Sequence, residues 1–181
     1  MLLAGLELLD LIALNVITAD PANVNAASID LTLDATILKE VIPEDDRVTV
    51  DIANKKSICT EAVEMTEEGY VLAPGEFVLA SSVEVFNLPN NISGEYKLKS
   101  TMARNALEHL NAGWCDAGWN GSKLTLELKN MSRYHCLRIR PGMKIGQIVF
   151  FKHAPVPNEM SYATKGQYNG QTVVTAAKEL K

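Results

Sequence analysis

Short β-prone runs broken by closely spaced turn signals constrain this chain more than any other feature. S-I-D-L-T-L (28–33), R-V-T-V-D-I (47–52), Y-V-L (70–72), E-F-V-L-A (76–80), V-E-V-F (83–86), E-Y-K-L-K (95–99), K-L-T-L-E-L (123–128), C-L-R-I-R (136–140) and I-G-Q-I-V-F-F (145–151) are rich in residues that suit a pleated, half-buried surface. Pro43, Gly69, Pro74-Gly75, Pro89-Asn90-Asn91, Gly118 with Gly121, and Pro141-Gly142 punctuate them. Many short strands with close turns predict a mainly β sandwich, jelly roll or barrel rather than a βαβ fold. A chain of 181 residues with 47% hydrophobic content can build one domain, 1–181, around a real core. There is no internal repeat and no low-complexity segment.

Two segments depart from the strand pattern. The N-terminal stretch M-L-L-A-G-L-E-L-L-D-L-I-A-L has no basic residues ahead of its apolar run, and Glu7 and Asp10 interrupt it, unlike a secretory signal. Leu6, Leu9, Ile12 and Ala13 share one face at helical spacing, which predicts a short amphipathic helix packed on the body. Between Ser100 and Leu107, the residues Met102, Ala103, Ala106 and Leu107 predict one short internal helix, with Ser100 or Thr101 as its N-cap. No apolar run has the length of a membrane span. Residues 154–181 turn small and polar and cannot form much core of their own. This tail is expected either to be disordered or to fold over a ligand or a neighbouring subunit.

A net charge of −5 and a pI of about 5.2 argue against a non-specific nucleic-acid binder, which needs a basic stripe. They leave a nucleotide enzyme open, because a few local cations suffice for one triphosphate. Cys59, Cys115 and Cys136 are odd in number and form no C-x-x-C pair. They read as reduced thiols of a cytoplasmic protein, not as a disulfide scaffold or a structural zinc site.

The chemistry concentrates between Lys99 and Asn130. A helix start favours phosphate through its free N–H groups and partial positive charge. Here Lys99 precedes it, Ser100 and Thr101 offer hydroxyls, and Arg104 follows one turn on. Taken alone, an ordinary capped helix also explains these residues. Asp116 lies in a turn among Gly113, Gly118 and Gly121, where it can accept a hydrogen bond from a sugar hydroxyl or simply stabilise a hairpin turn. On the run 123–129, alternation puts Leu124, Leu126 and Leu128 on one face and Thr125, Glu127 and Lys129 on the other. Glu127 is then either a solvated strand residue or a general base facing a cleft; periodicity does not choose between them.

Lys99-Ser-Thr-Met-Ala-Arg104 resembles R-S-S-L-A-R, and Ala112-Gly-Trp-Cys-Asp-Ala-Gly-Trp-Asn-Gly121 resembles A-G-x-I-D-P/A-G-F/W-x-G, both motifs of the dCTP deaminase family within the trimeric dUTPase-like superfamily. Leu124-Thr-Leu-Glu-Leu-Lys-Asn130 resembles I-T-L-E-x-x-N, and Pro141-Gly-Met-Lys-Ile-Gly-Gln-Ile148 resembles P-G-M-x-I-G-Q-L. Ser28-Ile-Asp-Leu31 matches an early S-x-D-L/V strand, and Tyr168-Asn-Gly-Gln171 resembles the tail motif K-Y-x-x-Q. Residues 38–75 are the least family-like.

The resemblance implies a distorted β-barrel or jelly-roll-like, dUTPase-like fold and a homotrimer with active sites between subunits. It implies hydrolytic deamination of dCTP to dUTP and ammonia, with Glu127 as the base that activates water, Ser100 helping to position that water and Arg104 holding the carboxylate. Lys99 and Thr101 would contact phosphates. Asp116 and the backbone around Ala112 would hold sugar and base. Tyr162, Gln167 and Gln171 would belong to a tail that closes over the nucleotide. Mg²⁺ is implied only as companion of the triphosphate. No zinc is implied, and the H-x-E…P-C-x-x-C signature is absent. Regulation by dTTP is common in the family, and His109 matches a histidine in the loop that rearranges.

Departures from the motifs matter. Lys99 stands for the usual Arg and keeps charge while losing bidentate geometry. Gln167 stands for a Lys. Trp114 stands where single-function deaminases often carry Arg and bifunctional dCTP deaminase–dUTPases carry an aromatic. The alternatives are therefore a bifunctional enzyme giving dUMP and pyrophosphate, an altered base pocket for a 5-substituted cytosine, a plain dUTPase, and a non-catalytic dNTP-binding regulator. The absence of R-G-x-x-G-F-G-S-T argues against the plain dUTPase.

Overall fold

The computed structural model describes residues 1–45, 47–52 and 57–178. In chain order its elements are α1 (Leu6–Ala13), β1 (Ile29–Thr32), β2 (Thr36–Glu40), β3 (Thr60–Glu64), β4 (Tyr70–Leu72), β5 (Phe77–Asn87), β6 (Ile92–Leu98), α2 (Ser100–Arg104), β7 (Leu107–His109), β8 (Trp114–Cys115), β9 (Asn120–Asn130), β10 (Leu137–Ile139), β11 (Lys144–Lys152) and α3 (Tyr162–Lys165). The strands pair antiparallel. One sheet has the order β1-β11-β6-β8, a second β3-β2-β5-β9-β7, and a third pairs β10 with β4. The mainly β, jelly-roll-like expectation holds. Among the described residues the sheets stay open and do not close into a barrel.

The core lies between the two large sheets. Leu126 and Leu128 on β9, Val78, Ala80 and Phe86 on β5, and Ile148 and Phe150 on β11 are fully buried within it. Each such large side chain contributes about 1.5–3 kcal/mol through burial. The runs 76–80 and 83–86 form one strand, β5, whose register against β9 shifts between Ser81 and Val85. Glu84 sits in this irregularity, buried, and both carboxylate oxygens accept from the Thr32 N–H at 3.0 and 3.1 Å. The bulge thereby ties the second sheet to β1 of the first.

Three expectations are corrected. Helix α1 exists, but it buries Leu8 and Leu11, with Ile12 half-buried, and leaves Leu6 78% exposed. Leucines at 6, 8, 9 and 11 offer two stripes. The choice falls to the chain's entry, where Leu2 bridges Phe151 and Gly5 turns at φ +54°. Helix α2 stops at Arg104, its N-cap is Lys99, and no side chain caps it. Ala106 has φ +63°, which ends any helical path, and Leu107 opens a strand instead. Residues 47–52 form no strand. As far as Lys178 the tail folds back on its own chain, with Lys123 N–H donating to Gln171 O and Gln171 Nε2 donating to Lys123 O, both at 2.8 Å.

Candidate active site

Strand β9 supplies the floor of a cleft of about 580 Å³. Its alternation turns Leu124, Leu126 and Leu128 into the core and leaves Thr125 and Glu127 half-buried on the opposite face. On the neighbouring strand Leu79 lies opposite Glu127, and Phe77 and Leu79 extend the floor as apolar surface. One wall is β8 with its flanking residues, from Ala112 through Trp114, Cys115 and Asp116 to Trp119. A second wall comes from Val50, Ile52, Ile58 and Thr60. The tail closes the third side with Tyr162, Tyr168, Gln171 and residues 175–177.

The wall holding Asp116 needs Gly118. This residue has φ +86°, and a Cβ there would lie 1.9 Å from Ser161 Oγ. The absence of a side chain lets the turn and the tail meet. Trp119 stacks on Phe86 with centroids 5.2 Å apart, and its Nε1 donates to Tyr168 O at 2.9 Å, which fixes the tail against the turn.

Glu127 meets the edge strand β7. Its Oε2 lies 3.1 Å from Nε2 of His109, a buried imidazole. The contact is close enough for an ion pair, yet the two atoms are not aligned for a hydrogen bond, and neither has one elsewhere among the described residues. A small rotation of either the ring or the carboxylate would align them. Behind His109 the Tyr96 ring lies 4.6 Å away, centroid to centroid. The Tyr96 hydroxyl is buried without a partner among the described residues. Burial, and then the charge of Glu127, push its pKa far above the usual value. Burial likewise pushes the Cys115 thiol up, with Asp116 adding to it. Tyr162 is also raised, first by burial.

The structure brings Ala112, Trp114, Asp116, Glu127, Tyr162 and Gln171 to one cleft. It does not bring Lys99, Ser100, Thr101, Arg104 or Gln167 there. Ser100, Thr101 and Arg104 are exposed on α2. Lys99 Nζ donates to Asp30 Oδ1 at 2.7 Å. Burial raises the Asp30 carboxyl, but the hydrogen bonds from Lys99 and Asn25 and the charges of Lys99 and Lys144 outweigh it and hold the pKa below the usual range. The Gln167 carbonyl accepts from Lys178 Nζ. Sequence reasoning missed the site's apolar wall of Val50, Ile52 and Ile58, which lies in the least motif-like segment, and Tyr96, which carries no motif. Among the described residues no group of three His, Cys, Asp or Glu side chains could hold a metal ion, and no helix is long and apolar enough to cross a membrane.

A sequence profile described as dCTP deaminase-like matches residues 2–153. A protein of Mycobacterium ulcerans named "dCTP deaminase, dUMP-forming" is 36% identical over 164 residues, covering 88% of this chain and 84% of that one. A protein of the same name from Acidothermus cellulolyticus is 37% identical over 164 residues, covering 88% and 83%. The solved 2′-deoxycytidine 5′-triphosphate deaminase of Agrobacterium tumefaciens shares the fold, with a TM-score of 0.65 at 24% identity over 87% of this chain. The present chain spans 50% of that structure's length. With a profile match over most of its length and relatives above one-third identity, the chain belongs to the dCTP deaminase-like family.

Proposed function

We propose that this protein hydrolyses dCTP in two steps, first to dUTP and ammonia and then to dUMP and pyrophosphate. The observation that carries the reading is Glu127: a carboxylate set in an apolar cleft floor, against an imidazole, in the same cleft as Asp116. The names of the relatives favour dUMP as the product, so this reading replaces the simple release of dUTP that the motifs alone imply.

In the first step Glu127 takes a proton from water as the water oxygen attacks C4 of cytosine. That proton goes to N3 and stays there; the second water proton, from the C4 hydroxyl, then passes through Glu127 to the amine, the C4–N bond breaks, the C4 carbonyl forms and ammonia departs. A positioned general base contributes about 10²–10⁴ in rate. In the second step water attacks the α-phosphorus and the bond to the bridging oxygen breaks, releasing pyrophosphate. Asp116 accepts a hydrogen bond from the sugar 3′-hydroxyl, and the backbone at Ala112 holds the base. Tyr162 and Gln171 enclose the nucleotide and exclude water. Mg²⁺ enters with the triphosphate as part of the substrate, and catalysis needs no zinc.

Lys99, Ser100, Thr101 and Arg104 serve a neighbouring copy in this reading. Their exposure on α2, outside the cleft of their own chain, supports a homotrimer whose sites are completed across the subunit interface. Lys99 would then share its charge between Asp30 and a phosphate, and Gln167 would reach the phosphates only by a shift of the tail. The protein acts in the cytoplasm, in deoxynucleotide metabolism.

The test is product analysis with dCTP and with dUTP, on wild type and on Glu127→Gln. The wild type should carry dCTP through to dUMP, and the variant should bind dCTP yet release no ammonia. Persistent dUTP would reduce the reading to a simple deaminase. Ammonia release unchanged in Glu127→Gln would remove the assigned base, and consumption of dUTP alone would make the protein a dUTPase.

A further inference from the structure

We propose that Trp114 is a positioning residue that sets sugar selectivity by fixing the Asp116 carboxylate, so that one oxygen is reserved for a ligand hydroxyl. This rests on the nucleotide reading of the cleft given above.

Trp114 Nε1 lies 2.9 Å from Asp116 Oδ1. The indole N–H can only donate and an ionised carboxylate can only accept, so the direction of this bond is unambiguous. The ring that carries it is itself held. Trp114 sits on β8 opposite Glu95 of β6, and it stacks on Phe151 with centroids 6.2 Å apart and planes 26° from parallel. Both Trp114 and Asp116 line the cleft. The second carboxylate oxygen, Oδ2, has no hydrogen-bond partner among the described residues.

These facts divide the carboxylate into two parts. Oδ1 already accepts one hydrogen bond from within the chain, which restrains rotation of the group. Oδ2 is left facing outward as the acceptor free to take a ligand donor in place of water. On a pyrimidine deoxynucleotide the donors are the base and the sugar hydroxyl. With the base at Glu127, the 3′-hydroxyl is the donor left for Asp116. A carboxylate already oriented loses less freedom when the hydroxyl binds, so the indole bond strengthens a contact it never touches. A phenyl ring at this position could stack on Phe151 but could not orient Asp116.

The test compares wild type with Trp114→Phe, using dCTP and its 2′,3′-dideoxy analogue as substrates with Mg²⁺. Trp114 is 56% exposed, so the variant should unfold at the same temperature as wild type. A hydrogen bond to a charged group is worth about tenfold or more in binding. The variant should therefore raise KM for dCTP by about tenfold with kcat nearly unchanged, and leave KM for the dideoxy analogue within about twofold. The preference for the 3′-hydroxyl would collapse accordingly. Parallel increases for both nucleotides would mean that only the ring matters and would overturn the proposal. An unchanged preference in Trp114→Phe would overturn it as well, while turnover of dCTP by wild type would leave the nucleotide reading standing. A wild type that turns over neither nucleotide overturns that reading, and this inference with it.

Discussion

His109 Nε2 and Glu127 Oε2 face each other at 3.1 Å, and neither atom has a hydrogen bond to any other described residue. The imidazole is buried while the carboxylate is partly open to the cleft. In the mechanism proposed above, the imidazole supports Glu127 as it turns between water and substrate.

His109→Ala should lower kcat for deamination by about tenfold to a hundredfold while changing dCTP binding little. Ammonia release and equilibrium binding measure the two separately. Unchanged kcat would mean that the imidazole is only packing.

Tyr96 and Gly146 form a second coupled pair. A Cβ at Gly146 would come within 2.1 Å of the Tyr96 ring. Gly146→Ala should cost about 2–3 kcal/mol in urea unfolding, and most of that cost should vanish in a Tyr96→Leu background. Tyr96→Phe alone should stabilise the protein by about 1 kcal/mol, because it removes a buried hydroxyl without a partner. Loss of stability in Tyr96→Phe would show that the hydroxyl is satisfied in solution.

Burial raises the pKa of Glu84 above its ordinary 4.5, and this outweighs the lowering effect of the Thr32 N–H. A carboxyl that holds its proton more tightly folded than unfolded favours folding most below its unfolded pKa. That advantage is lost as pH rises through the higher folded pKa. Glu84 thus contributes a fall in stability from about pH 4.5 upward, opposite in sign to Asp30, whose depressed pKa costs stability only as pH falls through the acid range. In Glu84→Gln the upward-pH loss should disappear from a series of unfolding midpoints. A slope identical to wild type would exclude Glu84 as its source.

Thiol reactivity should divide the cysteines. Cys59 and Cys136 are exposed, whereas Cys115 is buried with its pKa pushed far up. The thiolate is the reactive form. An aromatic disulfide reagent should label Cys59 and Cys136 in the native protein and reach Cys115 only on unfolding. Rapid labelling of Cys115 in the folded state would show that the cleft wall opens.

Local pattern carried much of the fold. Turn residues and β-prone runs were enough to anticipate β1, β4, β5, β6, β9, β10 and β11. They misread 47–52 because three valine and isoleucine positions look like a strand whether or not a neighbour is there to pair with them. The same segment instead supplies Val50 and Ile52 to the cleft. In α1 periodicity found the helix but chose the wrong stripe, because several leucines satisfied it and only docking could discriminate.

The sequence by itself determined the side of β9 on which Glu127 stands, since a two-residue period with three leucines admits only one inward face. It also placed Asp116 in a turn among glycines. Tertiary structure alone decided which of these groups meet. Lys99 and Asp30, 69 positions apart, form an ion pair away from the cleft, and the Ser100 helix lies outside it. His109 and Tyr96 reach Glu127's surroundings through strand order, and Trp114 reaches Asp116 through the set of its ring against Phe151. A period records which way a side chain points. Contacts between distant residues depend on how sheets pair and pack, and they leave no periodic trace in the chain.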